Sequence, residues 1–307
     1  MRIFLTGATG YIGAAVLDAL VRGGHDVTAL VRDNSKAARI AARGGHPIVG
    51  NLADPESFRV AAEAQDGYIH TAYDSTSSGG PAVDRTALDV ILAAAKRDRT
   101  PSSKSSGKRF IIYTSGVWVL GSAPKPADEE TQAHPVSLVA WRPDHEQFVL
   151  RAGGGSLRTI VVRPGIVYGG GLGIVGDLLK SASNGLVRVI GDGNNRWPLV
   201  YDRDLADLYA RLAADNDAAG LYHANDEGDE RVNDIVSAIS PYLPVRPDVR
   251  HVPIEEARSK MGAFADALAL DQVVRSPRAR ALGWEPTLHS VAGNAARLLE
   301  EWRASRT

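Results

Sequence analysis

The chain has 307 residues, 44% of them hydrophobic, no cysteine, and 35 Lys and Arg against 36 Asp and Glu, a formal net charge of -1 at neutral pH. That length buries a large core without covalent staples, and the missing thiols exclude disulfides, thiolate metal ligands and a cysteine nucleophile. The balanced charge offers no broad basic field for nucleic acid or an anionic membrane surface, so a small-molecule partner and a reducing compartment, the cytoplasm by default, are expected.

Arg2 leads straight into an apolar run, without the hydrophobic stretch and cleavage site of a secretory leader. No later segment approaches about 18 uninterrupted apolar residues, so no membrane span is expected. Short β-rich runs fall at Arg2 to Leu5, Val27 to Val31, Pro47 to Val49, Tyr68 to His70, Arg109 to Thr114 and Thr159 to Arg163. Between them apolar residues recur at helical spacing, as in Ile12, Val16, Leu20 and Val21, or Leu88, Ile91, Leu92 and Ala95. Strand and helix in alternation predict an α/β fold with a doubly wound parallel sheet. The Ser, Lys and Gly run from Thr100 to Lys108 reads as a solvated loop.

Beyond Pro164 glycine-rich turns at Gly169 to Gly173 and Gly191 to Gly193 break the alternation. A core over 1–165 and a smaller substrate-binding region over 166–307 are therefore expected. The two should interleave, because an amphipathic helix from Asp202 to Ala214 and a strand from Gly220 to Ala224 are placed to return to the sheet. Asp202 and Asp204 suit the first turn of that helix as capping carboxylates. No His or acid cluster has metal-site spacing.

The first strand runs into Thr6-Gly7-Ala8-Thr9-Gly10-Tyr11-Ile12-Gly13, and a helix follows. In that setting the glycines form a dinucleotide fingerprint: a tight turn at Gly7, close approach of backbone amides to a pyrophosphate at Gly10, and helix-to-strand packing at Gly13. The fold expected is thus a Rossmann fold, with Thr6, Gly7, Thr9, Gly10, Tyr11, Ile12 and Gly13 at the cofactor. About 20 residues past the loop, NAD-selective sites place an acid that receives the ribose hydroxyls. Arg32 holds that place here, and a guanidinium pairing with a 2′-phosphate favours NADP. Asp33, if it faced the ribose instead, would admit NAD.

Four further segments, Tyr113-Thr-Ser-Gly116, Val162-Arg-Pro-Gly-Ile-Val-Tyr-Gly169, Gly191-Asp-Gly-Asn-Asn-Arg-Trp-Pro198 and Asp202-Arg-Asp-Leu-Ala206, join the glycine loop in a pattern that runs almost end to end. It resembles the extended short-chain dehydrogenase/reductases, the NAD-dependent epimerase/dehydratase superfamily, and is most similar to their atypical members. The resemblance implies cofactor contacts from Ala72 and from the chain at Pro164 and Ile166, and adenine contacts from Asn51 and Leu52, where the family more often has Asp at the position of Asn51. It also implies a substrate lid, and helix pairs that in this family often make a homodimer.

The family's catalytic set is a hydroxyl residue after the fifth strand, then a Tyr with a Lys four residues later. This chain departs at all three. The hydroxyl position falls on Gly116, with Ser115 one residue early, and between Pro135 and Leu150 there is neither Tyr nor Lys. The best placement sets Trp141 and His145 four apart, and an indole does not ionise, so it cannot act as a general acid. Arg142-Pro143-Asp144-His145-Glu146 reads as a helix start. There the helix field favours a neutral His145, able to bond a ribose hydroxyl or a substrate. Ser115, Tyr73, Tyr168 and His145 are the candidate catalytic residues.

Arg196 and Trp197 fall where the lid should cover the substrate, a planar cation to clamp an anion and an indole to wall the pocket, with Trp141 as a further substrate contact. The function these features favour is NADP-dependent hydride transfer to a small carbonyl or from its alcohol. A non-catalytic dinucleotide-binding sensor or partner-binding protein, and a nucleotide-sugar epimerase or dehydratase, are the alternatives.

Overall fold

Apolar runs flanked by glycine and polar turns build the main sheet. Its strands are β1 (Arg2–Thr6), β2 (Asp26–Val31), β3 (His46–Val49), β4 (Gly67–His70), β5 (Arg109–Thr114), β6 (Leu157–Pro164) and β7 (Gly220–Ala224). The computed structural model describes residues 1–74, 79–97 and 108–306; of the loop expected from Thr100 to Lys108 only Lys108 falls within them. The spatial order is β7-β6-β5-β4-β1-β2-β3. Strands β1 to β6 pair in parallel. The order reverses at β1, with β2 and β3 to one side and β4 to β7 to the other. In such sheets a ligand binds beyond the carboxyl ends of the strands at that switch point, here β1 and β4. This is the doubly wound Rossmann-type sheet expected from the sequence.

Contacts divide the chain into two units. The first comprises Met1–Ser115, Asp144–Val162 and Ala206–Leu221, the second Gly116–Pro143, Arg163–Leu205 and Tyr222–Thr307. The segment Gly116–Pro143, expected with the sheet, groups instead with the second unit. Its residues Val117, Val119, Leu120, Ala127 and Val139 bury their side chains with Val274, and Gln272 Nε2 donates to the carbonyls of Val117 and Gly121. Pairing of residues this far apart leaves no local signature.

The first unit packs Phe4, Phe58, Tyr68, Leu88, Ile91, Ile111, Val149 and Val161 in one core. Arg158, only 4% exposed, donates to the carbonyls of Leu212, Ala213 and Ala218. A buried guanidinium thereby satisfies two bare carbonyls in the last turn of the helix Asp202–Ala214 and that of Ala218 beyond it, which keeps most of that helix with the sheet. The second unit packs Tyr168, Val175, Leu179, Val187, Leu199, Ile235, Val236 and Leu298. Short two-stranded pairs frame it, Ile166–Tyr168 with Leu199–Tyr201 and Leu186–Ile190 with Asp248–Val252. Among the described residues no helix is long and apolar enough to cross a membrane.

Asp204 does more than sit in a first turn. Its carboxylate accepts from Thr287 N and Oγ1 at 2.8 Å each and from Leu288 N at 3.2 Å, and its carbonyl accepts from the buried Trp284 Nε1 at 2.8 Å. Hydrogen bonds to a buried charge contribute about 1.5–3 kcal/mol each and are not additive. Asp204→Ala is expected to lower the unfolding free energy by about 3 kcal/mol in urea titration; a loss below about 1 kcal/mol would show that solvent replaces these contacts.

Candidate active site

The glycine loop closes on the chain that leaves β4. Gly7 has φ +80°, and a Cβ there would lie 2.6 Å from Thr71 Oγ1 and 2.7 Å from Ala72 N. A Cβ on Gly13 would lie 2.1 Å from the Gly7 carbonyl oxygen, so only glycine permits this approach. Gly10 N donates to the Gly7 carbonyl at 2.8 Å and completes the turn. The helix Tyr11–Arg22 then begins with Gly10 as a cap that has no side chain to offer, and with no acid in its first turn. Such a helix end attracts anions, and nothing built into it competes with a phosphate. Thr9, Tyr11 and Ile12 are half-buried around it, and Ala72 places its backbone against Gly7. Thr6 is different: fully buried, its hydroxyl bonds His70 Nδ1 at 2.7 Å, so it anchors the loop from below.

Past β2, Asp33 caps the short helix Asn34–Lys36 by accepting from Ser35 N at 2.9 Å and from Ser35 Oγ. The Ser35 hydroxyl holds its carboxyl below the usual carboxylate range. Arg32 beside it is exposed and makes no hydrogen bond or ion pair among the described residues. Past β3, Asn51 Oδ1 accepts from Ala53 N at 3.0 Å, the turn an Asp would make, while Leu52 packs against the first core.

Under the loop lies a polar cluster that the sequence reading missed. Thr6, His70 and Tyr113 are register partners across β1, β4 and β5 and therefore present one row. Against that row the helix Gly80–Lys96 sets Asp84, only 3% exposed. Asp84 accepts from Tyr113 Oη at 3.0 Å and meets His145 Nδ1 at 2.7 Å and His70 Nε2 at 3.2 Å. An ionised Asp84 requires N–H at both ring atoms, which leaves His70 Nδ1 to accept from Thr6. His145 thus lies buried in the helix Arg142–Arg151, with its Nδ1 engaged by Asp84. The missed signal is Asp84 itself, four residues before Leu88 on the face that carries Leu88, Ile91, Leu92 and Ala95, where a charge needs partners.

Ser115, at the end of β5, is 8% exposed; its N donates to the Val162 carbonyl at 2.8 Å, and its buried Oγ has no hydrogen-bond partner among the described residues. Tyr73 is 39% exposed and lies against Gly80, at the surface rather than in an enclosed site.

In the second unit Tyr168 is fully buried, packs on the Tyr201 ring and donates to Asp226 Oδ2 at 3.1 Å. Burial and that carboxylate both push the phenol up, so the expectation of a proton donor there gives way to a core residue. A short strand, Ile166–Tyr168, precedes the glycine-rich turn. Ile166 gives its N–H to the Pro198 carbonyl at 2.7 Å and its side chain to the core, and Pro164 ends β6 fully enclosed. Trp141 is half-buried, with the Arg142 guanidinium 4.5 Å above its ring.

Arg196 and Trp197 clamp the segment 268–271. Arg196 Nε and Nη2 donate to the two oxygens of Asp271 at 2.8 and 2.7 Å, its backbone N to Asp271 Oδ1 at 2.9 Å, and Nη2 also to the Pro124 carbonyl at 3.1 Å. Trp197 Nε1 donates to the Leu268 carbonyl at 3.0 Å, and Asn195 Nδ2 to the Leu268 and Leu270 carbonyls at 3.0 and 3.1 Å. The guanidinium expected to clamp a substrate anion is therefore already paired bidentately within the protein.

Residues 3–224 match the model of the NAD dependent epimerase/dehydratase family. The chain belongs to that family. It is 33% identical over 292 residues to an uncharacterized protein of Schizosaccharomyces pombe, covering 94% of this chain and 95% of that one. It is 25% identical over 270 residues to the 4-hydroxy-2-methyl-3-oxo-4-farnesyl-3,4-dihydroquinoline-1-oxide ketoreductase of Stigmatella aurantiaca, covering 84% and 78%. Among solved structures the human epimerase family protein SDR39U1 with NADPH superimposes with a TM-score of 0.80 at 19% identity, over 98% of this chain and 99% of that one. The family's nicotinamide dinucleotide suits the glycine loop, which offers a bare helix end and a backbone with no Cβ in the way.

Two buried groups of the second unit titrate in opposite senses. Burial pushes Asp226 up from 3.8 to about 7, and burial followed by the charge of Arg163 pushes His223 down from 6.5 to about 4. Between those carboxyl values the folded chain keeps a proton on Asp226 that the unfolded chain releases, so this contribution to stability is present near pH 4 and lost as pH rises to 7. His223 works the other way, losing stability as pH falls from 6.5 to 4. Asp226→Asn removes the first loss alone. Its Tm relative to the wild type should rise by about 5 °C between pH 4 and pH 8; a difference independent of pH would contradict the raised carboxyl.

Proposed function

We propose that the chain is an NADP-dependent oxidoreductase that interconverts a small carbonyl compound and its alcohol. The observation that carries this reading is the buried Ser115 hydroxyl, without a hydrogen-bond partner among the described residues, at the carboxyl end of β5 in the unit that holds the glycine loop. A buried donor without a partner costs about 1–3 kcal/mol, and a bound carbonyl oxygen would remove that cost. When bound, the dinucleotide supplies or receives the hydride. The chain's own residues do the rest: the amino end of the helix Tyr11–Arg22 holds the pyrophosphate, Arg32 takes the 2′-phosphate, and Ser115 donates to the oxygen as negative charge develops there. With no Tyr or Lys between Pro135 and Leu150, the proton passes through the Ser115 hydroxyl and water restores it. The ketoreductase among the relatives supports carbonyl reduction in particular.

Arg32→Ala should weaken NADPH about ten- to hundredfold and leave NADH unchanged, as read by fluorescence titration. An unchanged ratio of the two dissociation constants would remove Arg32 from the site. Ser115→Ala should lower kcat about a hundredfold with the NADPH dissociation constant within about twofold. Tight NADPH binding without turnover of any carbonyl would point instead to a dinucleotide-binding protein that does no chemistry.

A further inference from the structure

The second unit carries a cleft of about 610 Å³ whose lining shares no residue with the clamp of Asn195, Arg196 and Trp197. One wall is a helical face: Asn233, Val236, Ser237 and Ser240 fall at i, i+3, i+4 and i+7 along the helix Val232–Ile239 and the residue after it. The facing wall is one side of the strand Asp248–Val252, from which the alternate residues Val249 and His251 project together. The turn between helix and strand contributes Leu243 and Arg246. This frame is fixed from several sides. Asn233 Nδ2 donates to the Asp192 carbonyl at 2.8 Å, and its Oδ1 accepts from His251 Nε2 at 3.0 Å, which ties helix to strand. Val236 belongs to the second core and Leu243 packs against it, while Pro244 and Pro247 restrict the backbone on either side of Val245 and Arg246.

The cleft is chemically divided. Val236, Leu243 and Val249 offer hydrocarbon, and the Ser240 hydroxyl is taken by the Val236 carbonyl at 3.1 Å. Arg246 is exposed and makes no hydrogen bond or ion pair among the described residues. Other arginines of the unit differ: Arg196, Arg250, Arg275 and Arg297 each hold a carboxylate of the chain within 3.1 Å. A guanidinium is a planar fork that matches a carboxylate, and a cleft of this volume lies in the range that encloses small molecules. Among the described residues Arg246 is the one Arg or Lys of the lining, which suits a single negative charge.

We propose that this cleft binds a small organic carboxylate, with the carboxyl group on Arg246 and an aliphatic body along Val236, Leu243 and Val249. The site uses neither the glycine loop nor Ser115, so it stands or falls independently of the oxidoreductase reading.

The test is an NMR titration of the full chain, its Val and Leu methyl groups isotope-labelled, with hexanoate, 1-hexanol, acetate and inorganic phosphate. Hexanoate should shift the methyl signals of Val236, Leu243 and Val249. Hexanol, which lacks the charge, and acetate, which lacks the body, should each bind about tenfold more weakly or less. Phosphate should leave those methyl signals in place. Arg246→Ala should weaken hexanoate about tenfold and abolish its advantage over hexanol. Its Tm should match that of the wild type, since no hydrogen bond or ion pair among the described residues uses that side chain. Ser237→Trp, which fills the cleft from the helix, should erase the hexanoate shifts while the methyl signals of the first unit stay where they were. Shifts confined to other methyl groups, hexanol or acetate bound as tightly as hexanoate, displacement of hexanoate by phosphate, or unaltered hexanoate binding in either variant would each overturn the assignment.

Discussion

A carboxylate enclosed in the first unit, Asp84, governs how the nucleotide-binding half is put together. It gathers Tyr113 from β5, His70 from β4 and His145 from the helix Arg142–Arg151, and through His70 it reaches Thr6, where the glycine loop begins. A charge at that depth is tolerable only when its hydrogen-bonding capacity is filled, and filling it requires two helices and three strands to be in register together. Once Thr6 is fixed, the loop that follows has a single way to turn, because Gly7 and Gly13 press against each other and against Thr71. The anion-binding end of the first helix is therefore a consequence of buried polar chemistry beneath it as much as of its glycines.

The same accounting separates residues available to a ligand from those already spent. Arg32 and Ser115 make no side-chain hydrogen bond among the described residues and the helix end is bare, whereas Tyr168, His145 and Arg196 are engaged by Asp226, Asp84 and Asp271. The five residues are all polar or charged, so residue type alone does not sort them. Their partners do.

Much of the fold is legible in the sequence because its signals are local. Most sheet strands are short apolar runs, as a parallel sheet covered on both faces demands, and the glycine loop stands out because a strand precedes it and a helix follows. The helix Asp202–Ala214 and the strand Gly220–Ala224 are legible to the residue, since acidic residues open the helix after the apolar run Leu199–Tyr201 and a polar turn separates it from the strand. The site is less so. Asp84 and His145 are 61 residues apart and Arg196 and Asp271 are 75 apart, and no spacing rule links either pair. Tyr168 misleads for a related reason: glycines after it suggest a turn, yet pairing with Leu199–Tyr201 draws it into a strand and into the core. Only Asp84 left a trace, a charge on an otherwise apolar helical face.

The separation of the two cores has an evolutionary consequence. In the second unit a cavity is lined by Ile174, Leu178, Val187, Val189, Trp197 and Leu268, which belong to that unit's core or pack against it, and none of them belongs to the core beneath the glycine loop. A lineage could therefore enlarge, shrink or reshape the cavity by single substitutions without loosening the carboxylate cluster beneath the glycine loop. The two cores would then be free to change at different rates, each held only by its own contacts.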